Sequence, residues 1–144
     1  MTNIISLFEE SKTFKPGEVL IHEGEDNRDL YIVSSGVLEV TIKNELAPVV
    51  VSEINPPEIL GELSFLNGTP RTATVTAKTD AEVFILSYEK VKQEMSDIPT
   101  WFKLVLSTLT NRMKSCAEKI KEYDHRIRDL EGELSKHKKI SPEN

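Results

Sequence analysis

The chain has 144 residues, 38% hydrophobic and 29% charged, enough for one domain with a real core but too few for two. Its formal net charge of −6 speaks against nucleic-acid binding, which draws its affinity from Lys and Arg neutralising phosphates. No apolar run approaches the ~18 residues of a membrane span, and the first ten residues lack the basic and apolar regions of a signal peptide.

Taken in order, residues from about Phe14 to Ser87 carry strand signals: short β-branched and aliphatic runs broken by Gly, Pro, Asn and Asp. Lys15-Pro16-Gly17-Glu18 reads as a turn before a strand at 19–21, and Glu23-Gly24-Glu25-Asp26-Asn27 as the next turn. Strands are predicted at 30–33 and 37–42, with Ser34-Ser35-Gly36 turning between them. In the second of these, Leu38, Val40 and Ile42 alternate with Val37, Glu39 and Thr41, the period of a sheet wet on one face. Segments 49–54, 72–77 and 81–86 complete the series, and many short strands at this spacing predict a barrel, roll or sandwich.

After Ser87 the pattern becomes helical. Ser87 is the expected N-cap of a short helix to about Met95, and Pro99 suits the first turn of a much longer one. Phe102, Leu106, Leu109, Met113, Cys116, Ile120, Tyr123, Ile127, Leu130 and Leu134 then follow at alternating steps of four and three. That is a heptad seam, with Leu106, Met113, Ile120, Ile127 and Leu134 at a and the others at d. In a parallel pair, Lys119 would face Asp124, Arg126 would face Glu131, and Glu133 would face Lys138, all of opposite sign. A parallel homodimer through residues 102–134 is the expectation. Gly132 falls at the solvent-facing f position. The organisation expected is 1–96 for a roll with an N-terminal helix and short flanking helices, 97–139 for the long helix, and 140–144 for a frayed tail.

The densest chemistry lies in 59–75. Gly61 allows close approach of the backbone, and Glu62 to Leu66 has room for a short helical turn whose free N–H groups attract an anion. Pro70 fixes the loop before Arg71, whose guanidinium can hold two phosphate oxygens in a fork. Thr72 adds a hydroxyl, and Ala73 leaves its N–H accessible. Glu62 would repel phosphate but can accept hydrogen bonds from a sugar hydroxyl. An anion beside a hydroxylated ring describes a nucleotide phosphate and its ribose. Singly, each residue has a plainer explanation: a turn at Gly61, a surface ion pair between Glu62 and Arg71, a strand start at Thr72.

Together, Gly61-Glu62-Leu63 and Pro70-Arg71-Thr72-Ala73-Thr74-Val75 resemble the phosphate-binding cassette of cyclic nucleotide-binding domains, especially those of cyclic-nucleotide-dependent kinases. Gly24, Gly36 and Tyr31 match the family's turn glycines and strand aromatic, and 87–119 is similar to its catabolite-activator branch. The resemblance covers about residues 7–134. It implies a mainly β fold with α, an eight-stranded β-roll flanked by helices, with a long C-terminal dimerisation helix. It also implies that Gly61, Leu63 and Ala73 surround the cyclic phosphate, Arg71 pairs with its charge, Thr72 donates to it, and Glu62 takes the ribose 2′-hydroxyl. Leu60 stands where the family often has an aromatic. The helix positions that carry purine-capping hydroxyls in the activator branch are Cys116 and Ala117 here, with Ser115 beside them; Arg112, one turn earlier, is a further purine candidate. Thr72 occurs in cGMP-accepting members and in cAMP-preferring ones, so the ligand expected is cAMP first and cGMP second.

His22, His125 and His137 lack metal-ligand spacing, and no nucleophile is paired with a base. No catalytic residue, metal or cofactor is therefore expected, nor a helix-turn-helix after the long helix. The lone Cys116 cannot form an internal disulfide, so a cytoplasmic location is expected. The expectation is a stand-alone cytoplasmic sensor without DNA or membrane insertion, whose ligand repositions the dimer helix to signal to an unknown protein. A nucleotide-unresponsive dimerisation scaffold, or a regulatory piece of a larger channel- or kinase-type effector, is the alternative; the initial methionine speaks against the latter.

Overall fold

The computed structural model describes residue 8 and residues 10–140. The N-terminal helix expected from the sequence and the end of the tail lie outside them. Two four-stranded antiparallel sheets face each other. The first runs in the order β1 (Glu10–Phe14), β8 (Ala81–Leu86), β3 (Leu30–Ser35), β6 (Ile59–Leu60). The second runs β2 (Val19–Ile21), β7 (Thr74–Ala77), β4 (Leu38–Ile42), β5 (Val49–Ile54). Apart from the consecutive pair β4 and β5, strands adjacent in a sheet are distant in sequence, which is the winding of a β-roll. Val33, Leu38 and Val83 are fully buried between the sheets, with Ile21, Tyr31, Leu60, Val75, Ala77 and Ala81 around them. Gly36 joins β3 to β4 at φ +80, where an added Cβ would lie 2.1 Å from the Asp80 carbonyl oxygen, so the turn admits only glycine.

Six of the eight strands carry the β signals of the sequence; β1 and β6 do not. β1, Glu-Ser-Lys-Thr-Phe, is an almost wholly exposed edge strand, so no apolar alternation marks it. β6 is two residues long and closes the edge beside β3. The strand expected from Thr72 begins instead at Thr74. The backbone of Arg71 is tied to the 24–25 turn, accepting from Gly24 N–H at 2.8 Å and donating to the Glu25 carbonyl at 2.9 Å. Thr72 and Ala73 are thereby left outside the sheet.

The expected short helix to Met95 divides into α2 (Tyr88–Val91) and a 3-10 turn at Glu94–Asp97. Ile98 precedes Pro99 and takes the extended conformation that proline imposes on its neighbour, φ −69, ψ 128. The tightening to i→i+3 bonds lets the chain reach that bend. Ser87 holds the N-cap place without a side-chain cap; the Tyr88 N–H donates instead to Asp29 Oδ1 at 3.0 Å, 59 residues away. The long helix α3 (Thr100–Ile140) has 41 residues, about 60 Å at 1.5 Å per residue. The Pro99 carbonyl accepts the first N–H bonds, from Phe102 and Lys103, so Pro99 lies just before the helix.

The face of α3 most buried against the roll lies beside its seam. Thr110 is buried, and Lys114, Ala117, Lys121, Asp124 and Arg128 are partly so. Thr110 Oγ1 donates to Asn67 Oδ1 at 3.0 Å. Lys121 pairs with Glu23 at 2.7 Å, and Asn44 donates to Asp124. Apart from the partly buried Leu106, the apolar seam stays exposed: Leu109 51%, Met113 51%, Tyr123 57%, Ile127 56%, Leu130 61% and Leu134 58%. Asp124, expected to face Lys119 of a second helix, is engaged within its own chain by Asn44 and by Arg128 at 3.1 Å. No helix among the described residues is long and apolar enough to cross a membrane.

Candidate functional site

A pocket of about 820 Å³ lies between the second sheet and α3, inside the ~300–1,000 Å³ range of small-molecule sites. Its floor is apolar, from Ile21, Val40, Ile42 and Val75. One wall is the short helix α1 (Glu62–Asn67), which follows β6 through Gly61. Gly61 has φ 91, and a Cβ on it would lie 2.5 Å from Arg71 Nη1 and 2.8 Å from the Asp29 carbonyl oxygen. Glycine here makes room for the arginine. The first intrahelical bond is Phe65 N–H to the Gly61 carbonyl, so the N–H groups of Glu62, Leu63 and Ser64 precede the helical ladder.

At its other end α1 is held by Arg28, which donates to the carbonyls of Ser64 at 3.2 Å and Phe65 at 2.7 Å. A cation on these last carbonyls complements the helix dipole. The Arg28 guanidinium also lies 3.7 Å from the centroid of the Tyr88 ring, which meets Phe65 edge-on. The wall is thus braced against the start of α2.

Arg71 is only 4% exposed. Nη1 donates to the Gly61 carbonyl at 3.1 Å; Nη2 donates to Asn27 Oδ1 at 3.0 Å and to the Asp29 carbonyl at 2.7 Å. All three acceptors are neutral, and among the described residues Nε has no partner. The ring centroid of Tyr31 lies 5.5 Å away. A buried cation without an ion-pair partner carries a desolvation cost of several kcal/mol, which an anion in the pocket would offset. Burial pushes the Tyr31 phenol above its ordinary value, with the Arg71 charge pulling partly back and the Asp29 and Glu25 carboxylates adding to the rise.

All six cassette residues named from the sequence, Gly61, Glu62, Leu63, Arg71, Thr72 and Ala73, line this one pocket. Of the helix candidates, Arg112 and Cys116 line it with Leu109, Met113, Ala117 and Ile120. Ser115 does not: it is exposed, set off by about 100° per residue from the 112–116–120 stripe. The seam and the pocket therefore share Leu109, Met113, Cys116 and Ile120. Among the described residues no cluster of His, Cys, Asp or Glu is arranged to hold a metal.

Sequence reasoning missed Asn27, Asp29, Arg28, Asn67 and Thr110, which hold the cassette without belonging to its motif. Asn27 alone carried a local sign, since an Asn in a turn between strands is suited to bonding its own backbone two residues on.

A β-roll with a buried arginine that has no ion-pair partner among the described residues, at one end of a pocket with an apolar floor, is suited to a small amphiphilic anion. The chain belongs to the cyclic nucleotide-binding domain family, whose sequence profile matches residues 11–97. It is 35% identical over 103 residues to the cAMP-activated global transcriptional regulator CRP of Salmonella typhimurium, covering 70% of this chain and 49% of the regulator. It is 28% identical over 96 residues to the cAMP-dependent protein kinase regulatory subunit of Dictyostelium discoideum, covering 66% of this chain and 29% of that subunit. The chain spans about half or less of the length of these curated relatives. The fold also matches the EAL enzyme Bd1971 in its cAMP-bound form, with a TM-score of 0.68 at 20% identity over 85% of this chain and 33% of the enzyme.

Proposed function

We propose that this chain is a cyclic mononucleotide sensor, taking cAMP in preference to cGMP, that signals through its long helix. The observation that carries the reading is the buried, charge-unpaired Arg71 beside Gly61, Leu63 and Ala73 in one pocket. The cyclic phosphate pairs with Arg71 and takes N–H bonds from the start of α1 and from Ala73, with the Thr72 hydroxyl donating to it. Glu62 accepts from the ribose 2′-hydroxyl. The purine lies in the apolar part of the pocket under α3, beside Arg112 and Cys116. The chain has no catalytic step of its own: it binds, and the ligand's contacts with both α1 and α3 favour one placement of α3 over another.

The exposed seam fits a second copy of the chain, laid parallel along 102–134. Ten successive positions keep heptad spacing, and at two of the three flanking pairs the opposite charges remain available. Because Leu109, Met113, Cys116 and Ile120 border both seam and pocket, a second helix also forms the pocket's outer rim. The output is read by a downstream protein in the cytoplasm rather than by DNA. The same module would serve as the regulatory part of a longer effector.

Calorimetry of cAMP and cGMP against the wild type and Arg71→Ala tests the reading. Removing one partner of a buried charge pair costs about 2–5 kcal/mol, so the variant should bind at least ~30-fold more weakly. Folded, ligand-free protein that binds neither nucleotide refutes the sensor and leaves a dimerisation scaffold.

A further inference from the structure

We infer that Asn27 is the positioning residue for Arg71, and that its neutrality is what leaves the guanidinium charge for the ligand; this rests on the sensor reading above. Asn27 lies in the loop between β2 and β3, and its Oδ1 accepts two bonds. One comes from its own backbone two residues on, Asp29 N–H at 2.7 Å, an Asx turn that fixes the acceptor relative to the loop. The other comes from Arg71 Nη2 at 3.0 Å. With the Asp29 carbonyl on the same nitrogen and the Gly61 carbonyl on Nη1, three fixed acceptors set the plane of the guanidinium.

None of the three is charged. Neither nearby carboxylate forms an ion pair with Arg71 among the described residues: Asp29 Oδ1 accepts from the Tyr88 N–H and Glu25 Oε2 from the His22 N–H. Aspartate has the shape of asparagine, would accept the same two bonds, and would pair with Arg71 by a stronger charge-assisted bond. It would also neutralise the charge the phosphate needs and place a like charge beside it. The amide gives orientation without neutralisation.

Asn27→Asp separates this role from a merely structural one. The aspartate keeps both hydrogen bonds and adds an ion pair, so the ligand-free melting temperature should hold or rise while cAMP affinity falls at least about tenfold. In a structural role, affinity follows stability, and Asn27→Asp binds as the wild type does. Asn27→Ala, which frees Arg71 to move, should lower both. Calorimetry and thermal melts on the full chain, with Arg71→Ala alongside, give the answer. Asn27→Asp binding cAMP within about twofold of the wild type, while Arg71→Ala has lost it, overturns the inference and leaves the site reading intact. A wild type that does not bind overturns both.

Discussion

Replacing Gly61 by alanine adds one methyl group at the point where backbone, arginine and ligand converge. The residue sits at φ +91, a region that costs a non-glycine residue about 1–2 kcal/mol. The new Cβ meets Arg71 Nη1 at 2.5 Å and the Asp29 carbonyl at 2.8 Å. The second atom is backbone and cannot swing aside, so the guanidinium must move and its bond to the Gly61 carbonyl, 3.1 Å long, is lost. A hydrogen bond to a charged group contributes about 1.5–3 kcal/mol, which with the backbone cost brings the whole loss to about 2.5–5 kcal/mol. For a chain of this size that lowers the melting temperature by roughly 10 °C. Cyclic nucleotide affinity should fall at least ~10-fold with it, because the displaced arginine no longer faces the phosphate. Gly132→Ala is the control: its Cβ meets nothing within 4 Å, and in an exposed helix interior it should stabilise by ~0.5–1 kcal/mol. The assay is thermal unfolding of both variants at one protein concentration, with calorimetry of cAMP. A Gly61→Ala protein that melts within about 2 °C of the wild type and binds normally would refute the packing argument.

Ile127 lies in the seam beyond the pocket and is 56% exposed, so Ile127→Asp should leave the roll and its ligand binding unchanged. Placing a carboxylate at an a position should instead reduce the sedimenting mass from twice the 16.3 kDa chain to one; a wild type that sediments as a single chain, or a variant that stays paired, counts against the dimer. Tyr31, raised by burial first, gives a pH prediction. Its native state holds the phenolic proton more tightly than the unfolded chain does. Its contribution is therefore complete below the unfolded value of 10.0 and is lost as pH rises from there through the folded one. Urea midpoints of wild type and Tyr31→Phe, compared from about pH 9 to pH 11, should converge or cross as the wild type loses stability faster. Parallel curves would contradict the assignment.

The site divides by the range of the forces that build it. The cassette was legible because a glycine turn, a short helix and a proline-arginine loop lie within fifteen residues, Gly61 to Val75, and each states its backbone need locally. Six strands and the long helix were legible for the same reason, through a period of two or of three and a half. β1 was not: Ser11, Lys12 and Thr13 are exposed, and their pairing with β8 comes from a partner about seventy residues on. Ser87 looked like the cap of α2, yet the acceptor is Asp29, since a buried N–H takes whichever oxygen the fold brings to it. The sequence by itself determined the family, the cassette residues that line the pocket and an apolar stripe on α3. Only the tertiary structure decided which face of α3 meets the roll, that part of the stripe borders the pocket, and that Arg71 is oriented by neutral acceptors from a loop more than forty residues away. Those facts depend on burial and on long-range hydrogen bonds, which exist only once the two sheets have closed.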